Sequence, residues 1–338
     1  MISRRFLAIA LLLGFTAAAS AAEVNLYSTR EPGLITPLLE QFTAETGIKV
    51  NTVFLSTGLA ERVAAEGTSS PADVLMVVDI GNMMDLVTKG LTQQVRAAAL
   101  ETAIPANLRD ADGKWFALSL RARAILVSRD RVSDPPLTYE ALAEPRWRGK
   151  VCLRGGQHPY NTALFAAMLA KDGPAATTAY LSALKANLGR KPGGGDRDVA
   201  RDIMAGICDV GLSNTYYGGL MLSGAGGAEQ KRWGDAVRFV LPTFKDGSGT
   251  HVNVSAAGIA RHAPNKAEAI RLLEWLVSRA AQRAYAEGNF EYPVRADMAP
   301  NAIIAGFGAL RVDNTKLDAI AAKRAEASML VDQTGFDR

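Results

Sequence analysis

Between residues 23 and 78 the hydrophobic pattern alternates, and this alternation restricts the fold more than any other feature of the chain. Val24 to Ser28 reads as a strand, Leu34 to Thr46 as a helix with Leu34, Leu38, Leu39 and Phe42 on one face, and Ile48 to Phe54 as a second strand. Gly47 stands where a helix-terminating glycine is expected. Leu59 to Ala65 continues as helix, and Ala72 to Val78 is an unbroken apolar run suited to a strand covered on both faces. A β-α-β-α-β opening implies an open parallel sheet flanked by helices. In such sheets ligands lie beyond the carboxyl ends of the strands, here around Ser28 to Glu31, Ser56 to Gly58 and Asp79 to Asn82.

Farther along, Trp115 to Ser128 is strand-like and carries Arg121 and Arg123 among apolar neighbours. At alternate spacing the two share a face, so a bound anion or an acidic partner is implied, with solvated guanidinium heads as the plainer alternative. The character changes at Pro135, Pro136 and Pro145. A second alternating unit then begins with a strand at Lys150 to Arg154 and helices at Thr162 to Ala170, Pro174 to Leu188 and Asp196 to Ala205. A strand at Cys208 to Leu212 follows. Gly193 to Gly195 read as a loop feeding the helix at Asp196, since the lysine and hydroxyl residue of a phosphate-binding loop are missing. His251 to Arg261 reads as a strand, Lys266 to Glu287 as one helix, and Leu317 to Leu330 as the last. No repeat of fixed period occurs.

The N-terminus fixes the expected compartment. Arg4 and Arg5, the apolar run Phe6 to Phe15 and the small residues Ala19, Ser20 and Ala21 form a signal peptide, residues 1–22, of Sec or twin-arginine type, whose removal releases a soluble exported protein. The run is too short for a permanent anchor, and no later stretch reaches ~18 apolar residues, so no stable membrane insertion is expected. The formal net charge of +4 falls to about +2 without the leader arginines, and the basic residues are scattered, which argues against nucleic acid. Cys152 and Cys208 are the only cysteines. In an oxidising compartment they are most simply one disulfide; a thiolate metal site, lacking any C-x-x-C, is the alternative.

Tyr216 and Tyr217 sit where the strand at Cys208 to Leu212 gives way to a helix, flanked by Ser213, Asn214 and Thr215 before and Gly218 and Gly219 after. In a strand the two phenols would diverge; at a helix start both can meet one object. A surface aromatic pair is the plain alternative. If Cys152 and Cys208 are joined, Tyr160, which follows the Lys150 strand, arrives at the same sheet edge. Converging phenols ionise together only when a strong cation displaces their protons, and Fe(III) is the biological ion that prefers phenolate oxygen.

No catalytic set assembles. His158, His251 and His262 lack metalloprotease spacing, there is no G-x-S-x-G, and no G-x-G-x-x-G follows the first strand, so the chain is read as a non-enzyme.

The sequence resembles the periplasmic ferric-ion-binding proteins of ABC transporters over most of its length. The likeness is carried by NLYSTRE at Asn25 to Glu31, TGIKV at Thr46 to Val50, SPADVLMVVDIGN at Ser70 to Asn82 and WFALSLRARAIL at Trp115 to Leu126. It continues through YEALAEPRWRGKVCLR at Tyr139 to Arg154, HPYN at His158 to Asn161, GGDRDVARDIMAGICDVGLSNTYYGG at Gly194 to Gly219 and EYPV at Glu291 to Val294. The resemblance implies an α/β, two-lobed periplasmic-binding fold of class II, each lobe a mixed sheet flanked by helices, with hinge strands near Arg121 and Leu241. The lobes would comprise residues 23–121 plus about 245–285, and 122–244 plus about 286–338. It further implies Fe(III) ligation by Tyr160, Tyr216 and Tyr217, and a synergistic anion such as carbonate held by Arg30 and Arg121. A monomer delivering the ion to an inner-membrane ABC permease is implied as well. Where the most similar subgroup reads S-R-H-Y this chain reads S-T-R-E-P, so Glu31 stands at the histidine position and Pro32 at the tyrosine position. Pro32 has no ligating atom in its side chain; Glu31 becomes a further ligand or faces solvent. A receptor for another small anion or organic solute, and an exported enzyme using Tyr160 or His158, are the competing readings.

Overall fold

The computed structural model describes residues 22–338, and the expected signal peptide lies outside the described residues but for Ala22. The first three strands, β1 (Glu23–Ser28), β2 (Lys49–Phe54) and β3 (Val74–Val77), pair in parallel in the order β2-β1-β3. Helices Pro32–Thr46 and Leu59–Glu66 form the crossovers. Gly47 ends the first of these at φ 72°, its N–H returning to the Thr43 carbonyl. This left-handed conformation strains any residue with a Cβ. Leu34 departs from the expected core face. It is 39% exposed, and Ile35 takes its place against the sheet.

The parallel arrangement stops at β3. The next neighbour, β8 (Val252–Ile259), runs antiparallel, and so does β4 (Phe116–Ser128) beside it. All thirteen residues of β4 are buried, and the strand changes partners along its length. Residues 116–122 pair with β8, whereas 123–128 pair with β6 (Val210–Asn214) and β7 (Val237–Val240). β5 (Val151–Cys152) joins β6 in parallel, and β9 (Tyr292–Pro293) pairs with β4 at Ser119 and Leu120. The order β2-β1-β3-β8-β4-β6-β5 is therefore one mixed sheet carried by two lobes, with β4 continuous between them. In chain order β7 is followed directly by β8, and the helix ending at Asn289 leads into β9.

Two helices differ from the sequence expectation. Residues 266–287 form two helices, Lys266–Leu276 and Arg279–Asn289, because Ser278 caps the second through the Ala281 N–H. The last helix is likewise divided into Leu317–Ala322 and Arg324–Gln333. Gly173 at φ 78° breaks the segment Pro159–Ala186, in agreement with the two helices expected there. Among the described residues no helix is long and apolar enough to cross a membrane.

Candidate metal centre

The tyrosines meet because two parallel strands end side by side. β5 and β6 are in register through Val151 with Val210 and Cys152 with Gly211. The Cys152–Cys208 disulfide, with Cα atoms 5.8 Å apart, ties Cys152 to the residue two before β6. Closing the 56-residue separation removes chain entropy from the unfolded state. Beyond β5 a helix starts at Pro159, whose missing N–H costs nothing in the first turn. His158 caps it, Nδ1 accepting the Tyr160 N–H at 3.2 Å. Beyond β6 the helix Thr215–Leu222 starts at once, with Asn214 as its N-cap residue. Tyr160, Tyr216 and Tyr217 thus all stand in first helical turns at one sheet edge. The Tyr160 and Tyr216 hydroxyls are 3.2 Å apart, and the rings of Tyr216 and Tyr217 are 4.1 Å apart.

The glycines after the tyrosines have a steric role. A Cβ on Gly219 would lie 2.4 Å from the Phe290 side chain, and one on Gly218 would lie 2.6 Å from the Phe239 ring. Only a helix bare on this face can approach that closely.

Arg123 supports both tyrosine segments. Its guanidinium is buried against the Asp196 carboxylate, and it donates to Asn214 Oδ1 at 3.1 Å and to Asn161 Oδ1 at 2.7 Å. Asp196 also accepts the Asn214 N–H at 2.8 Å and pairs with Arg154 at 3.3 Å. Arg123 has therefore found the acidic partner that its apolar strand demanded. Gly195, not Asp196, occupies the N-cap position of the helix Asp196–Met204, which frees the Asp196 carboxylate to turn inward.

The facing wall comes from β1, β4, β8 and the chain after Asn289. Arg30 is buried, donating to Ser255 Oγ at 2.8 Å and pairing with Glu291 at 3.1 Å. The second Glu291 oxygen accepts from Ser119 Oγ. Arg121 donates to the Val78 carbonyl, and its Nε meets no partner among the described residues. Glu31 is exposed at the head of the helix Pro32–Thr46 and makes no capping bond. Thr29, Arg30, Glu31, Arg121 and the three tyrosines line one cleft of about 400 Å³.

Burial pushes the Tyr216 phenol well above its ordinary range, and the neighbouring Tyr160 and Tyr217 add to the effect against the opposing pull of Arg121. Burial, then Tyr160, raises Tyr217 in the same direction. Without a cation the two phenols are neutral at physiological pH; a cation that binds their oxygens must displace the protons. Guanidiniums stand over two of the rings, Arg154 at 4.9 Å from the centre of Tyr160 and Arg197 at 5.7 Å from that of Tyr217. Among the described residues no group of three His, Cys, Asp or Glu side chains could hold a metal.

The seven lining residues singled out from sequence as ligands or anion holders, or as their neighbours, thus come together, but their engagements differ. Arg30 is already paired, whereas Arg121 is not. Sequence reasoning missed Glu291, Arg197 and the Asp196 hub. EYPV marked Glu291 only as part of a pattern, and nothing local signals that it meets Arg30.

The family model for bacterial extracellular solute-binding proteins matches residues 27–283. Iron uptake protein A1 of Synechocystis sp. is 39% identical over 93% of this chain and 87% of its own. Among solved structures, the Bordetella ferric binding protein is 57% identical with a TM-score of 0.89, covering 94% of this chain and 100% of that one. Trichodesmium IdiA (FutA), in complex with iron and citrate ligands, is 36% identical with a TM-score of 0.88, over 93% and 100%. The chain therefore belongs to the bacterial extracellular solute-binding proteins, in the branch that contains the periplasmic ferric-ion-binding proteins.

Proposed function

We propose that this chain captures Fe(III) in the periplasm and hands it to an inner-membrane ABC permease, acting as a monomer that binds and does not catalyse. Tyr160, Tyr216 and Tyr217 act as phenolate ligands on one lobe. Arg30 and Arg121 on the other hold a synergistic anion, carbonate in its singly protonated form or a small carboxylate, and Glu31 swings in as a further oxygen ligand. The lobes divide as residues 23–121 plus about 245–285, and 122–244 plus about 286–338. They close over the ion as hinged bodies, with β4 bending where its pairing passes from β8 to β6. The observation that carries this reading is the 3.2 Å approach of the Tyr160 and Tyr216 hydroxyls, with Tyr217 beside them, inside a cleft walled by guanidiniums. Relatives named for iron uptake and ferric binding support it.

Because protons must leave the buried Tyr216 and Tyr217 phenols before iron binds, affinity falls as pH falls. Titration with a ferric salt should develop a visible phenolate-to-iron charge-transfer band at one ion per chain. A protein that binds anions without colour, and leaves iron in solution, would sink this reading in favour of an anion or organic-solute receptor.

A further inference from the structure

The charged side chains lining the cleft are Arg30, Glu31, Arg121, Arg197 and Glu291. Glu31 and Arg197 are partly solvated and of opposite sign. Arg30, Arg121 and Glu291 are 2%, 4% and 3% exposed, so their charges are fixed parts of the wall. Glu291 answers to both arginines. Burial alone would raise its carboxyl, but Arg30, Arg121 and the Ser119 hydroxyl together hold it below the ordinary carboxylate range. Arg30 has Ser255 and Glu291 on its terminal nitrogens and the Tyr285 ring 5.3 Å away, while its Nε meets no partner among the described residues. A buried ion pair adds little to stability compared with a well-packed apolar pair, so stability alone gives no reason for Glu291 to be charged here.

Resting on the iron reading above, the accounting is short. Three phenolates balance the charge of Fe(III), and Arg30, Arg121 and Glu291 leave the facing wall with one positive charge. We propose that Glu291 is a specificity-determining residue that sets the charge of the anion accepted beside the iron. With its carboxylate in place, the cleft suits a small, singly charged anion of the bicarbonate type; without it, the wall carries two positive charges and favours anions of higher charge.

The test compares bicarbonate with inorganic phosphate as the anion added to iron-loaded protein, read by the shift of the charge-transfer band. Glu291→Gln, which keeps the size and one acceptor oxygen for Arg30, should move the preference toward phosphate by about tenfold, the effect of one charge at partly screened range. Glu291→Asp should keep the wild-type preference. Should Glu291→Gln fail to fold, Arg30→Gln is compared with Arg30→Gln/Glu291→Gln, and the double variant should bind both anions more tightly than the single. An unchanged anion ranking in Glu291→Gln, the same shift in Glu291→Asp, or a double variant no better than Arg30→Gln would overturn the proposal. If wild-type protein never develops the band, the iron reading itself falls and takes this inference with it; if the band forms and the rankings agree, only the role of Glu291 falls.

Discussion

Arg123 and Asp196 form a buried ion pair one hydrogen bond away from each of the segments that carry the tyrosines. Arg123 reaches Asn161, next to Tyr160, and Asp196 holds the backbone N–H of Asn214, which opens the Tyr216 helix. The pair therefore fixes the relative position of two helix starts that come from distant parts of the chain. Asp196→Asn leaves Arg123 and Arg154 without their carboxylate, and stability should drop by about 3–5 kcal/mol, the usual cost of breaking a buried pair from one side. Denaturant unfolding of the variant checks this. Its iron affinity should fall as well, whereas Asp198→Asn, half-buried in the first turn of the same helix where it accepts the Gly195 N–H, should leave affinity intact.

The contact between Gly219 and Phe290 is equally specific. Gly219→Ala would place a methyl group 2.4 Å from the Phe290 side chain. Either the tyrosine helix or the crossing segment must shift, at about 1–3 kcal/mol, as other overpacked cores show. Thermal unfolding should register the loss, and the charge-transfer band should weaken because Tyr216 and Tyr217 ride on that helix.

A second pH effect acts on folding, independently of iron. His251 is buried, neither ring nitrogen meets a hydrogen-bond partner among the described residues, and burial lowers its pKa from 6.5 to about 4. Asp313 and Asp79 oppose this shift, and Arg123 reinforces it. The unfolded chain takes up the proton first as pH falls. The stabilising contribution is therefore complete above the unfolded pKa of 6.5 and is lost as pH drops toward about 4, a loss of about 3 kcal/mol. His158, lowered to about 4 by burial and then by Arg154, acts in the same direction. Urea unfolding across this range should show the decline, and His251→Gln should flatten it; an unchanged slope in the variant would count against a buried neutral imidazole.

Reducing the Cys152–Cys208 bond should cost about 4 kcal/mol on the chain-entropy account of a loop this long. The disulfide lies in an apolar cluster with Val199, Ile203 and Met221, so reduction requires local opening. Cys152→Ser/Cys208→Ser should show the lower stability directly in calorimetry.

Much of this was readable from the residues because it is local or periodic. The apolar run before Asp79, the glycine at 47 and the tyrosine pair at a strand-to-helix switch each have a local physical cause. The convergence of Tyr160 with that pair followed from one covalent assumption about the cysteines. What escaped has non-local causes. Glu291 meets Arg30 across 261 residues, and Asp196 meets Arg123 across 73. Helical periodicity runs on through Ser278, so the break there is invisible until the capping bond to Ala281 is seen. Leu34 fits the core stripe by spacing, yet it stands exposed at the cleft because the helix begins at Pro32 with its first turn turned toward the site.

The most direct test of the account is the double variant Tyr216→Phe/Tyr217→Phe, which keeps the aromatic packing and removes two of the three hydroxyls. Iron content and the visible spectrum are measured after ferric loading near neutral pH. The account predicts loss of the charge-transfer band together with loss of stoichiometric iron; a double variant that stays coloured and holds one iron per chain would contradict it.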